Sequence, residues 1–574
     1  MGSESISIIR SLWKTIYGEK GQSLLDSFID ELKEEKASLN LPSLDQGWYK
    51  DAIVYSLYVD LFNENFQGLE SRLDYLAELG VSCLWLLPIL ESPMRDAGFD
   101  ISDYRKIRHD LLSLPENFTI GEQGKIFNGF LKKAHDKGIK LIFDIAINHT
   151  SNEHHWFMES RKSKDNPFRD YYIWNKDDQK YKDARIIFYG IEESNWKKDG
   201  EEYFFHRFFD FQPDLNYRNP EVLVEMSRNM VFWLKRGVDG FRADAIPYLW
   251  KEEGTACENE PMTHTLVKFF RAVLDLMRPN TLLLAEACQK PKEVVKYFGD
   301  GDECNAGYHF PLMPQMFKAV AAESIKPVRE TLSTEVTPEI PEEAQWFTFL
   351  RCHDELSLEL VYVSEEDRKY IHDAYCKRPE WDFRKGQGIS ARLSELMDRD
   401  PDKISLIYSI MLTLPGTPVI YYGDEFGKLN DEEYYQEMIK LTGKDDTRFL
   451  VRGKIDWNRV DEKLNDESNF ESKVFNSLSR QLNIRNENKA FGRGDIDWLK
   501  AFDRNGLELE TVLMFKRSFE DEQIVVLHNL TENELEAKWP FGPKAPSKDL
   551  MGKEAPTNDG YIKLSRYEYR WFKI

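Results

Sequence analysis

Eight short apolar runs punctuate the chain, and between them apolar residues return every third or fourth position. The runs are AIVYSLYVDLF, CLWLLPI, KLIFDIAI, GFRADAI, TLLLAEA, AGYHFPL, QWFTFLRCHD and TPVIYYGDE. Short apolar runs of this length read as buried strands. The intervening stretches read as amphipathic helices. LESRLDYLAELG puts Leu69, Leu73, Leu76 and Leu79 on one stripe and stops at Gly80, and VLVEMSRNMVFWLKRG stops at Gly237. Strand then helix, repeated around eight strands, predicts an α/β fold, a (β/α)8 TIM barrel, over residues 46–480.

Two long inserts break this rhythm, one at 149–205 after the third strand and one at 361–403 after the seventh. Loops at strand C-termini build the site in such barrels, so both inserts are expected to act as walls or lids. Residues 1–45 carry helical spacing, with Ile8, Ile9, Leu12 and Trp13, then Leu24, Leu25, Phe28, Ile29 and Leu32, and predict a helical extension. From 481 to 574 the pattern changes to short alternating runs such as TVLMFKRS, QIVVLHNL and YEYRWFKI. These predict a C-terminal antiparallel β-sandwich domain without further helices of any length.

The excess of 100 Asp and Glu over 77 Lys and Arg, a net charge of -23, argues against nucleic acid or an anionic membrane as partner and favours a neutral small molecule. No apolar run is long enough to cross a bilayer, and the N-terminus lacks the order of a secretory signal, so a cytoplasmic location is expected. The six cysteines form no CxxC pair, which fits a reducing compartment. Nothing in the charge pattern decides the oligomeric state.

Three of the apolar runs end on a carboxyl group: Asp244, Glu286 and Asp354. Taken singly, each is equally well a cap or a loop ion pair. In a barrel the three converge on one mouth. Arg242 stands two residues before Asp244 and points to the same face. A neighbouring cation is expected to lower the Asp244 pKa and keep it ionised, as a nucleophile requires, while apolar company raises Glu286 and keeps its proton. Glycoside cleavage uses such a pair, and a separation of about 5–5.5 Å gives a covalent glycosyl-enzyme and retention. The third carboxylate then holds sugar hydroxyls.

The segments DIAINHTS, GFRADAIP, LLLAEA and FLRCHDEL resemble the four signature regions of glycoside hydrolase family 13, the α-amylase family, whose members are (β/α)8 barrels. The resemblance implies that Asp244 is the nucleophile, Glu286 the general acid and base, and Asp354 the transition-state stabiliser. It implies that Arg242 orients Asp244, that His149 and His353 bind sugar hydroxyls, and that Asp144 and Asn148 are structural. It also implies an Asp96–Arg448 salt bridge closing the innermost pocket, with Phe99 where the family has a stacking tyrosine. Within the family, KYKDARIIF, NWKKDGEEYFFHRFFDFQPDLNYRNP, EGTACENEPMTHTLVKFFRAV and YFGDGDECNAGYHFPLMPQMFKA are similar to segments of trehalose synthases, which isomerise maltose and trehalose. That similarity runs from about Gly47 to Tyr422.

Four departures limit the comparison. The loop LFNENFQGLES lacks the Asp- and Gly-rich metal loop of trehalose synthases. The second family calcium site implies Asn148, Asp214, the Tyr248 and Leu249 region and an acidic side chain, but the acidic position is Lys251 here. The expectation is no cofactor, with the Lys251 ammonium in place of the ion; the alternative is a solvated lysine with calcium still held by oxygens. Cys352 stands where the fourth region has asparagine, and DTRFLVRGKIDW replaces a segment ending in RTPMQW. The chain is therefore expected to be a retaining enzyme on small α-glucosides such as maltose or trehalose, with isomerase ahead of hydrolytic α-glucosidase or a sucrose-acting relative. A non-catalytic barrel serving as a binding partner is the remaining alternative.

Overall fold

The computed structural model describes residues 2–188, 190–542, 548–552 and 560–574. The expected inserts and C-terminal domain include residues 189, 543–547 and 553–559, which lie outside the described residues. The eight apolar runs form eight parallel strands: β1 (Val54–Leu57), β2 (Cys83–Leu86), β3 (Lys140–Ala146), β4 (Gly240–Asp244), β5 (Leu282–Ala285), β6 (Ala306–Tyr308), β7 (Gln345–Phe349) and β8 (Thr417–Tyr421). They pair in chain order and close, β8 on β1, into a barrel. Burial on both faces explains the absence of alternation: β1, β2, β5, β7 and β8 are buried at every position. Gly240 opens β4 because a Cβ there would stand 2.5 Å from Leu282 of the neighbouring strand.

The helix expected over LESRLDYLAELG is two helices, Phe66–Ser71 and Leu73–Leu79, broken at Arg72. Arg72 leaves helical geometry because its guanidinium stacks on Trp457 and pairs bidentately with Asp461. Gly80, at φ 102°, caps the second helix. The N-terminal helices Gly2–Tyr17 and Gln22–Ser38 lie on the barrel of their own chain, where Tyr17 donates to the Tyr217 carbonyl and Arg228 grips Glu31. Ile9, Trp13, Leu25, Phe28, Ile29 and Leu32 are buried there.

The insert after β3 carries a three-stranded antiparallel sheet of Trp174–Asn175, Glu202–Phe205 and Trp196–Asp199. The insert after β7 carries Leu356–Ser357, Gly388–Ile389 and Asp382–Phe383, with the helix Glu365–Tyr375 across them. Its sheet thus starts at Leu356. The helix Phe470–Glu487 crosses residue 480, and the short helix Ala490–Arg493 follows before the first C-terminal strand at Asp495. The C-terminal sheets then pack an apolar layer that includes Val525, Leu527, Trp539 and Phe572. They sit on the barrel through Trp571 and His528, both bonded to Ser409.

Candidate active site

A cavity of about 460 Å³ opens at the C-terminal end of the barrel, and Asp244, Glu286 and Asp354 all line it. Strand register places the first two. Ala243 pairs with Ala285, so Asp244 and Glu286 follow side by side at the ends of β4 and β5. Ala245 turns into the left-handed region, φ 58°, directly after Asp244. That turn aims its backbone N–H at Glu286, which accepts it at Oε2 over 3.2 Å. Such a conformation is costly for a non-glycine residue and is held here by the buried walls around it. The Cys288 thiol donates to the other oxygen, Oε1, over 3.1 Å.

Arg242 is 5% exposed and lies beside Asp144 across the β3–β4 pair. Its Nη1 donates to Asp244 Oδ1 at 2.9 Å and also to Asp144. Asp144 is fixed in turn by the Trp85 indole N–H at 2.7 Å, so the region-one aspartate anchors the arginine that orients Asp244. The expected lowering of the Asp244 pKa is not what the structure gives. Burial pushes that carboxyl up, and Arg242, divided between two carboxylates, only partly opposes it while Glu286 adds to the rise. Burial also pushes Asp144 up to about 7 against Arg242.

Asp354 has the opposite balance. Burial works against its charge, but His353, Arg448, Arg452 and Arg242 outweigh it and hold the carboxyl well below the usual range. Since burial pushes His353 down to about 3, the imidazole is neutral near pH 7 and the guanidinium groups supply the charge. Arg448 Nη1 and Arg452 Nη2 each lie 3.1 Å from Asp354 Oδ1. His353 Nε2 lies 3.1 Å from Oδ2, and its Nδ1 has no protein partner. Phe99 stacks on the His353 ring at 5.7 Å.

The pocket-closing salt bridge expected between Asp96 and Arg448 is replaced by other pairings. Arg448 pairs with Asp446 and Asp354, because DDTRFLVR forms a tight turn that folds Arg448 back on Asp446. Asp96 instead accepts from Gln212 Nε2 at 2.9 Å, and burial pushes it up to about 6 against the pull of Arg448. Gln212 Nε2 also lies 3.4 Å from His149 Nε2, linking two of the expected sugar-binding groups. Asp96, Phe99, His149 and His353 all line the cavity.

Gln212, Cys288 and Arg452 are functional neighbours that sequence reasoning missed. Only Arg452 left a signal, since it follows Arg448 by one turn in TRFLVR. Both inserts reach the cavity: Arg185 and Phe188 from the first, Glu359, Phe383 and Arg384 from the second, with Glu355 lining it just before the second insert. Glu355 is pushed up to about 7 by burial and by Asp354.

The calcium-like position lies outside this cavity. Lys251, 4% exposed, places Nζ 2.8 Å from Asn148 Oδ1 and 2.8 Å from Asp214 Oδ2. Tyr248 lines the active cavity and Leu249 packs in the core. Within the site, Cys352, His353 and Asp354 bring donor atoms within 4.8 Å of one another, but two guanidinium groups already occupy Asp354 and repel a cation.

Solved structures share the architecture. An α-amylase from H. orenii superposes with a TM-score of 0.69 at 23% identity, covering 91% of this chain and 99% of that one. A trehalulose synthase mutant in complex with Tris gives 0.68 at 22% identity, covering 92% and 99%. Sequence relatives are nearer. The trehalose synthase/amylase of Mycobacterium tuberculosis is 46% identical over 410 residues, 69% of this chain and 65% of that protein, so the chain spans about two thirds of that relative. The trehalose synthase of Pimelobacter sp. is 39% identical over 521 residues, 84% of this chain and 87% of that protein. The model of the α-amylase catalytic domain matches residues 27–374, which contain Asp244, Glu286 and Asp354. With its barrel, its three converging acids and this match agreeing, the chain belongs to the α-amylase family.

Proposed function

We propose that this protein is a retaining α-glucoside-active enzyme of the trehalose-synthase kind, cleaving glucose from a small α-glucoside such as maltose or trehalose and passing it on through a covalent glucosyl-enzyme. The observation that carries this reading is the position of Asp244 and Glu286 at adjacent register on neighbouring strands. Parallel strands lie about 4.8 Å apart, which supports a retaining pair rather than the roughly 6.5–9.5 Å separation of an inverting one.

Arg242 binds Asp244 at Oδ1 and leaves Oδ2 directed to the anomeric carbon. Glu286, fixed from Ala245, protonates the glycosidic oxygen as Asp244 attacks. Asp354, kept ionised by Arg448 and Arg452, accepts hydrogen bonds from sugar hydroxyls and favours the positive charge that develops on the ring. Glu286 then takes a proton from the acceptor, and the glucosyl group leaves Asp244.

An acceptor that stays in the cavity gives isomerisation, while water gives hydrolysis. Walls from both inserts, together with similarity to trehalose synthases over more than four fifths of the chain, support the first outcome. The same reading places Lys251 where the family holds calcium, so the enzyme needs no metal for this chemistry. The six cysteines are free thiols, which supports a reducing compartment, and no described helix is long and apolar enough to cross a membrane.

Product analysis tests the reading. Incubation of the purified protein with maltose is expected to yield trehalose, and trehalose to yield maltose. Glucose as the sole product assigns a hydrolase instead, and fructose from sucrose a sucrose-acting enzyme. No turnover of any of the three sugars refutes the enzyme reading.

A further inference from the structure

Away from the catalytic cavity, the insert after β7 gathers a second set of reactive side chains. His372 and Cys376 stand one turn apart at the end of the helix Glu365–Tyr375, and Asp382 faces them from the hairpin strand Asp382–Phe383. One donor atom from each lies within 4.8 Å of the other two, with His372 Nε2 2.8 Å from Asp382 Oδ1. A nitrogen, a sulfur and a carboxylate oxygen form a set suited to a borderline divalent cation. Tetrahedral coordination at bond lengths of about 2.0–2.3 Å needs donor separations of roughly 3.3–3.6 Å, inside the span observed.

Three further features fit an ion there. A cleft of about 290 Å³ lined by His372, Asp382 and Gly386 leads to solvent and gives an entry path and room for a water as fourth ligand. The Gly386 backbone N–H donates to Asp382 Oδ1 at 2.7 Å and fixes that carboxylate from behind. Burial and the negative charges of Asp382 and Glu380 push the Cys376 thiol up to about 11, an environment that a dication would compensate. Of the cations lining the cleft, Lys369 pairs with Asp373 and Arg368 donates to the Leu358 carbonyl, while Lys385 lines it as well; beside it, Lys377 pairs with Asp398 and Arg378 with Glu432.

We propose that His372, Cys376 and Asp382 form a site for a zinc-class divalent cation that clamps the helix Glu365–Tyr375 to the hairpin beside it. On binding, the Cys376 thiol loses its proton to solvent, His372 coordinates through Nε2 as neutral imidazole, and its hydrogen bond to Asp382 gives way to the shared ion. The clamp bears on the catalytic cavity because Phe383 and Arg384, which line it, directly follow Asp382. Arg384 and Lys385 turn there with φ 47° and 57°, a conformation that holds only while its flanks are fixed.

Cobalt(II) titrated into the full-length protein after chelator treatment tests this. The expected result is one cobalt per chain with a thiolate-to-cobalt charge-transfer band. Cys376→Ser abolishes the band, His372→Ala weakens binding tenfold or more, and Cys352→Ser, in the catalytic cavity, leaves both unchanged. Circular dichroism verifies that each variant is folded. Absence of the band in folded wild type overturns the proposal, as does a band that survives Cys376→Ser. Since the readout is spectroscopic, it stands or falls separately from glucoside turnover.

Discussion

Replacing Arg452 by methionine removes a buried cation while keeping the length of the side chain. Arg452 donates from Nη2 to Asp354 Oδ1 at 3.1 Å and from Nε to the His353 carbonyl at 2.8 Å. Arg448 stays on the same Asp354 oxygen at 3.1 Å, so the carboxylate keeps one of two guanidinium partners. A hydrogen bond to a charged group contributes about 1.5–3 kcal/mol, and in an aligned site that loss falls on the transition state. The expected fall in kcat/KM is therefore roughly 10- to 150-fold, expressed mainly in kcat. Stability follows the same group. A carboxyl whose folded pKa is depressed stabilises the protein above its unfolded pKa of about 3.9, and this is lost as pH falls through the folded value. Arg452→Met should thus lower the urea midpoint near pH 7, with the difference fading in acid. The assay is steady-state glucose release or transfer from maltose beside urea unfolding at several pH values. A kcat/KM within twofold of wild type, or a loss confined to KM, refutes the claim that Arg452 tunes Asp354 for the transition state.

Asp244→Asn, which keeps shape and removes the attacking charge, is expected to lower kcat by roughly a thousandfold or more with folding intact; retention of a tenth of the activity argues against its role as nucleophile. Because burial raises Asp244 above 3.8 and attack needs its charged form, the acid limb of kcat/KM should lie above pH 3.8 and rise with pH; a limb below that value refutes the burial argument. Lys251→Ala leaves the fully buried Asp214 without its 2.8 Å partner and should cost about 3–5 kcal/mol in chemical denaturation. In the wild type, added calcium should leave Tm and activity unchanged, and a calcium-dependent Tm shows that an ion rather than the ammonium completes that position.

Much of the architecture is legible along the chain because a strand buried on two faces is mostly apolar rather than alternating, and eight such runs recur. The three acids are legible for a related reason: each interrupts an apolar run at its end, where a barrel strand emerges into its mouth. Local pattern fails where a distant partner decides the geometry. The helical stripe through Leu69, Leu73 and Leu76 continues past Arg72, yet the chain breaks there because Trp457 and Asp461, almost four hundred residues on, claim the guanidinium. Arg448 folds back on Asp446 rather than reaching Asp96, and Gln212, from the loop that follows the first insert, takes that place.

Which side chains are available is written along the chain: the alternation of strands and helices, the order of the acids, and the lysine at the calcium-like position. How charge is distributed among them is settled by the folded barrel. Arg242 is shared with Asp144, so burial prevails at Asp244, whereas two arginines converge on Asp354 and prevail there. The physical reason is that the energy of a buried charge depends on distances and on displaced water summed over every neighbour. Those quantities do not exist until strands far apart in the chain have closed into one barrel.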